Sequence, residues 1–332
     1  MLHHIWRYSR SYLFIAFLIF IYSCANKEPK STVIGKSTGA INSVTIIIND
    51  MLWNGEIGDS LRKKLAAPVD GLPQEEPLFT IYQYPIKAID GTKINNRNII
   101  IVKKEDRTNF DLVTDEFAKP QNVIHISGNS TAVILEHILT NSDRIIKKIK
   151  ETEIEANQTS NRAEIQDDAI LNKKFKVSMD IRKDYQYALI RPNFVWLKKE
   201  MVSGNNSILV YTVPFITLLK NSDVSNNIVA MRDSIEGNYI KSKAPKSRMI
   251  TEKAYAPYFQ SIVLDGKRTY ETKGTWELKG DFMSGSFINY AIIDRKKRRF
   301  VIVEGLCYAP STDKRDLMFE LEAIIKTIKV NK

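Results

Sequence analysis

Apolar residues recur along this chain in two rhythms. Short runs and alternations predict strands at residues 44–49 (VTIIIN), 79–84, 98–102, 122–127 (NVIHIS), 194–197, 208–213 and 300–308. Phe175, Val177, Met179 and Ile181 alternate and predict one more strand with a buried face. Residues 283–294 also alternate, and the RKKRR run at 295–299 separates them from 300–308, which predicts a β-hairpin. A four-residue spacing predicts helices. Trp53, Ile57, Leu61 and Leu65 share one helical face behind Asp50, a candidate cap, and the proline-rich stretch 68–77 ends it. Gly128-Asn129-Ser130 breaks a strand and caps a long helix, in which Val133, Ile134, Ile138, Ile145, Ile146, Ile149 and Ile154 keep the period. Val224, Ile228, Met231, Ile235 and Tyr239 mark another helix. Leu317, Leu321, Ile324, Ile325 and Ile328 mark the last, within 313–329.

The segment 151–174 is polar and charged and reads as a boundary, either loop or helix extension. It separates an N-terminal unit (43–160) from a C-terminal unit (175–330), and each mixes strands with two helices. The expected class is therefore α+β: two α/β sandwich-like units with mainly antiparallel sheets and helices against them. No repeat of 20–50 residues is present.

The N-terminus follows neither rhythm. Arg7 and Arg10 precede an unbroken apolar run, LFIAFLIFIY, and Ser23-Cys24 leads into polar residues. A positive flank, a short apolar run and small residues at its exit predict a signal peptide at 1–23. A spanning helix needs about 20 apolar residues, and this run is shorter. Cys24 directly after it resembles the lipobox of bacterial lipoproteins, in which the cysteine is acylated and becomes the new N-terminus. Cleavage after Ala25 and an uncleaved anchor are the other readings. Acylation by two or three chains, at about 0.8 kcal/mol per buried methylene, would make attachment lasting. Residues 24–42 carry no apolar period and read as a flexible, lipid-anchored tether.

Composition adds an ordinary globular balance, with 43% hydrophobic and 26% charged residues, enough for a sizeable core. The formal net charge is +11. A signal peptide removes the nucleic-acid partner that such a charge suggests in the cytoplasm. The basic residues cluster at Arg144, Lys147, Lys148 and Lys150 and at 295–299. These are solvated faces, or contacts for anionic head groups or acidic polymers. Cys307, the second of two cysteines, sits in an apolar run and reads as a buried thiol.

Candidate chemistry is sparse. His125 and His137 lack metal-ligand spacing, and no Walker loop, GxSxG elbow or dinucleotide fingerprint occurs. No metal or cofactor is implied. Two SxxK strings, Ser60 to Lys63 and Ser311 to Lys314, occur without a KTG partner. The densest polar-aromatic stretch is GTWELKGDFMSG at 274–285. Alternation places Trp276, Leu278 and Gly280 on one strand face and Glu277, Lys279 and Asp281 on the other. Trp276, Glu277, Lys279 and Asp281 are thus the candidate ligand-binding residues, and Glu277 with Asp281 the carboxylate pair an unrecognised hydrolase would use. An ordinary charged strand face is the competing reading.

Several strings together, MLWNGEIGDSLRKKLAAPVDGLPQEEPLF, AKPQNVIHI, LIRPNFVWLKKE, GTWELKGDFMSGSFINY, VIVEGLCYAP and DKRD, resemble domain-of-unknown-function family 4837 over nearly the whole chain after Cys24. That family consists of Bacteroidetes envelope lipoproteins. The resemblance implies lipid attachment at Cys24 and supplies no activity. The C-terminal order of strands, amphipathic helix, hairpin and final helix also resembles the PsbP-like fold. The leading expectation is a non-catalytic envelope lipoprotein, held at the outer membrane and binding an envelope protein or glycan. The alternative is a hydrolase of envelope polymers or lipids.

Overall fold

A computed structural model describes residues 34–90 and 92–331. The expected signal peptide and Cys24 lie outside the described residues. Residues 37–42, expected as part of the tether, are instead bound to the folded body. Ser37 N donates to Lys119 O at 3.0 Å, Thr38 N donates to Asn95 O, and Arg97 N donates back to Thr38 O.

The N-terminal half holds strands β1 (Ser43–Ile48), β2 (Thr80–Tyr84), β3 (Asn98–Lys104), β4 (Asn109–Thr114) and β5 (Asn122–Gly128). Their order is β2-β1-β3-β5-β4. Here pairing departs from the antiparallel expectation. β1 runs parallel to β2 and β3, β3 runs parallel to β5, and β4 alone is antiparallel. The strands are buried accordingly. β1 (SVTIII) is buried at every position, and β3 begins with five buried residues, as strands covered on both faces must be. Helices α1 (Asp50–Trp53) and α2 (Glu56–Leu65) form the crossover between β1 and β2. Asn49 rather than Asp50 caps α1, its side chain accepting from Met51 N. Ile57, Leu61 and Leu65 of α2 are buried as their spacing requires.

Helix α3 (Thr131–Asn161) starts at Ser130, whose hydroxyl accepts from Val133 N, and absorbs part of the expected boundary. At 31 residues it is about 46 Å long. Ile134, Ile138, Ile145 and Ile149 lie on the N-terminal sheet, and the last turns run alongside the C-terminal half. Helix α4 (Ala169–Phe175) follows. It takes Phe175 out of the strand expected at Phe175 to Ile181. Lys176 adopts a left-handed conformation (φ 59°) and only Val177–Ser178 is extended, paired with Lys329–Val330. All four alternating residues are still buried.

The C-terminal half is one eight-stranded, wholly antiparallel sheet: β6 (Gln186–Arg191), β7 (Phe194–Met201), β8 (Gly204–Pro214), β9 (Arg248–Thr251), β10 (Tyr258–Leu264), β11 (Lys267–Lys279), β12 (Ser284–Asp294) and β13 (Arg299–Tyr308). The order is β9-β11-β12-β13-β8-β7-β6, and β10 shares the outer edge of β11 with β9. The β12–β13 hairpin turns at 295–298, as expected. Helices α5 (Phe215–Leu219) and α6 (Val224–Tyr239) cover one face and α7 (Arg315–Ile325) the other. The chain is thus α+β with mainly antiparallel pairing, the smaller sheet excepted.

Residues 36–332 form one compact unit. Side chains of the N-terminal half hold the start of α7. The Glu76 carboxylate accepts from Lys314 N and Arg315 N, both at 2.8 Å. Arg315 donates to Pro77 O and Thr80 Oγ1, and Asn42 Nδ2 donates to Asp316. At the far end Gln158 of α3 donates to Ala323 O.

Candidate functional site

Where α3, α7 and β10–β12 converge they leave a cleft of about 780 Å³. A single face of α3 forms one wall, because Asp143, Lys147, Lys150, Ile154 and Gln158 recur at steps of three and four. Ile262, Leu264 and Phe287 of the sheet and Met318 and Phe319 of α7 give the cleft an apolar floor. The 69–72 loop closes one end. Gly71 (φ +81°) allows this, since a Cβ there would lie 2.9 Å from Gly274 N on β11.

The polar groups inside are mostly committed to one another. Lys273 on β11 lies 3.2 Å from Glu322 and 3.6 Å from Glu271. Lys326, one turn along α7, lies 2.5 Å from Glu322. Burial alone would raise the Glu322 carboxyl, but the two ammonium groups outweigh it and hold it down to about 2. Lys273 is moved upward: Glu322 and Glu271 together overcome its burial. Lys150 differs. Among the described residues it forms no ion pair. Desolvation and the facing charge of Lys273 hold it below its ordinary value, against the weaker pull of Glu322. The lining contains no serine, cysteine or histidine among the described residues. The cleft thus combines an apolar floor with two lysines of the α3 wall, Lys147 and Lys150, that form no ion pair among the described residues.

The residues singled out in the sequence are not in this cleft. Trp276 is buried, its Nε1 donates to Ser286 O at 3.2 Å, and its ring lies 6.3 Å from that of Tyr308. Gly285 stands opposite it in register. A Cβ there would meet the Cys307 carbonyl oxygen at 2.0 Å and the indole at 3.1 Å, so the glycine is a packing requirement. Glu277 and Lys279 do share the outer strand face, beside Ile250 and Arg248 of β9. Asp281 does not join them. β11 ends at Lys279, Gly280 turns the chain (φ 86°), and the Asp281 carboxylate accepts from Phe282 N at 2.7 Å. The alternation argument failed there because the strand had already stopped.

The remaining candidates are structural. His125 contacts Glu116 at 2.7 Å, and the His137 ring stacks on Phe110. Cys307 is buried, and burial pushes its thiol up to about 12. Ser60 Oγ is buried with no hydrogen-bond partner among the described residues. Among the described residues no cluster of metal-ligating side chains occurs and no helix is long and apolar enough to cross a membrane.

Sequence reasoning also missed a buried polar network on the other face of the large sheet. Arg232 of α6 is fully buried and pairs with both oxygens of Glu304, while Asn289 donates to Glu304 and Arg232 to Thr251. Tyr211 donates to Glu236 at 2.8 Å. Burial and the nearby Glu304 carboxylate raise Glu236 well above the usual carboxylate range, against the pull of Arg232. One cation thus faces two carboxyl groups. Arg232 also lies 3.5 Å over the Phe287 ring, whose residue helps line the cleft.

Comparison with known proteins divides the chain in two. Residues 164–327 match the family model "Domain of unknown function (DUF4837)", and residues 37–162 match "Domain of unknown function (DUF8532)". The first match is narrower than the resemblance over nearly the whole chain after Cys24, and the N-terminal strings fall within the second match. No curated protein matches the sequence. Among solved structures, the Saccharomyces cerevisiae Ran-binding protein Mog1p is 11% identical, with 47% of this chain and 90% of that one covered at a TM-score of 0.31. A mutant of protein Mog1 matches at 11% identity, 46% and 90% coverage and a TM-score of 0.30.

Proposed function

We propose, for a chain whose residues 164–327 match the DUF4837 family model, that it is an envelope lipoprotein attached through Cys24 that acts by binding, with the cleft between α3, α7 and the large sheet as its binding site. The cleft itself carries the reading. Its volume lies within the range of about 300–1,000 Å³ usual for small-molecule sites, and its lining is mainly apolar. Lys273 and Lys326 are neutralised by Glu271 and Glu322, whereas Lys147 and Lys150 on the α3 wall form no ion pair among the described residues. The occupant this selects is an elongated apolar molecule, or an extended segment of an envelope partner, with one anionic group near Lys150. The anchor is supported by the sequence pattern before Cys24. It would keep the cleft near the outer membrane, where such amphiphiles are concentrated.

Two measurements test this. Intact-mass analysis of the detergent-extracted protein should find acyl mass on an N-terminus at Cys24, lost in Cys24→Ala. A fluorescent anionic amphiphile should bind the protein at a single site. Lys150→Gln should weaken it about tenfold, as loss of a charge-assisted contact does, and Ile154→Trp should fill the cleft and abolish binding with the fold intact. Equal binding by all three proteins would remove the cleft from consideration.

A further inference from the structure

The basic run RKKRR, which the cleft does not use, gains a different meaning from its surroundings. It forms the turn of the β12–β13 hairpin, and Arg295, Lys296, Lys297 and Arg298 are exposed. None of these four is ion-paired among the described residues. The acidic residue of the turn, Asp294, is buried and committed to Arg299 at 2.9 Å. The fold adds a second basic segment from far away in sequence. Arg299 donates to Phe175 O, which brings the end of α4 to the turn with Lys173, Lys174 and Lys176. Slight burial and the charges of Arg299, Lys176 and Lys296 hold the Lys297 ammonium below its ordinary value, against the pull of Asp294.

A third segment adds apolar surface beside the charge. Arg299 stands opposite Pro214 in register, and α5 begins at the next residue, with Phe215 against Phe300. On α5, Ile216 is 69% exposed and Leu219 44%, and exposed Lys220 follows. The hairpin end thus gathers seven basic residues, Arg295 to Arg298 with Lys173, Lys174 and Lys176, beside two solvent-facing aliphatic side chains. Long cationic side chains beside exposed aliphatics suit a lipid interface, where head-group phosphates meet the first methylenes.

We propose that this tip, formed by Arg295 to Arg298, Lys173 to Lys176, Ile216 and Leu219, docks on an anionic phospholipid surface. The inference stands without acylation at Cys24, because the tip engages a membrane supplied separately as well as one that holds the chain.

Lysine acetylation footprinting of the full chain tests it with the protein unaltered. The chain is incubated with vesicles of phosphatidylcholine alone, or with about one third phosphatidylglycerol, and labelling is read by mass spectrometry. On anionic vesicles Lys173, Lys176, Lys296 and Lys297 should label on the order of tenfold more slowly than on neutral ones, at about 1 kcal/mol per basic residue near the surface. Lys63, Lys103 and Lys241, exposed elsewhere, should not change. About 1 M salt, with a Debye length near 3 Å, should restore most of the labelling. Ile216→Ser with Leu219→Ser should lower the protection that survives salt. Equal labelling of the tip lysines on both vesicles overturns the proposal, and so does uniform protection of all seven lysines. Stronger protection by soluble polyglutamate than by vesicles, at equal charge concentration, overturns it in favour of an acidic polymer.

Discussion

The buried charges give opposite expectations for two carboxyl groups of this fold. Glu322 is held below its unfolded value, so its contribution to stability is complete above about pH 4.5 and is lost as pH falls toward about 2. Urea midpoints measured from pH 6 to 2.5 should fall through that window, and Glu322→Gln should flatten this part of the curve. Glu236 is raised, so it favours the folded state at low pH and costs stability as pH rises past the usual carboxylate range. Glu236→Gln should therefore be at least as stable as the native chain at pH 7. Arg232→Met should instead lose about 3–5 kcal/mol, because it strands Glu304 without its cation. Chemical denaturation of the two variants checks both. A large loss in Glu236→Gln would mean that the carboxyl is ionised. None of this was legible from the sequence. Arg232 and Glu236 appear there among the other polar residues of one amphipathic segment and Glu304 in a distant apolar one, and they meet only when α6 lies across β8 and β13.

At the scale of elements, the legible parts were those that local periodicity decides. α2, α6 and the β12–β13 hairpin follow their spacing, since one apolar face per element suffices to bury each. Strands β4 and β6 were missed because they lie at sheet edges, half exposed, with no long apolar run. The parallel pairing of β1, β2 and β3 was equally invisible, because it is set by crossovers and not by the strands. α7 shows a subtler dependence. Its cap position is Lys314, which offers no side-chain acceptor, and the work of a cap falls to Glu76, 238 residues earlier. Substituting Glu76→Ala should cost about 1–2 kcal/mol, as for a lost N-cap. Glu76→Gln, which keeps an acceptor oxygen without the charge at the helix N-terminus, should cost less. Equilibrium unfolding by circular dichroism separates the two. Equal losses would mean that charge at this terminus contributes nothing.

For the whole molecule, matches to two family models meet in a single chain, and the structure indicates how tightly the two segments are coupled. The N-terminal match ends at residue 162 and the C-terminal match begins at 164, inside the segment that the sequence marks as a boundary. Contacts disregard that line. α3 belongs by its first turns to the smaller sheet and by its last to α7, and Arg315 reaches back to Pro77 and Thr80. Each contact is worth only about 1 kcal/mol, yet several close on α7, which also covers one face of the large sheet. Coupling of this kind makes the halves unfold together, since opening either one exposes the floor of the cleft. The native chain should therefore show one calorimetric transition, with calorimetric and van't Hoff enthalpies in agreement. Arg315→Ala combined with Glu76→Ala removes the main tie at the start of α7 and leaves both cores untouched. That variant should resolve into two transitions, the N-terminal half melting first because its sheet is smaller. Its affinity for the anionic amphiphile should fall as well, because the cleft holds its shape only while both walls are docked. A single, merely lowered transition with unchanged affinity would mean that the apolar contacts of α3 and α7 alone join the two halves.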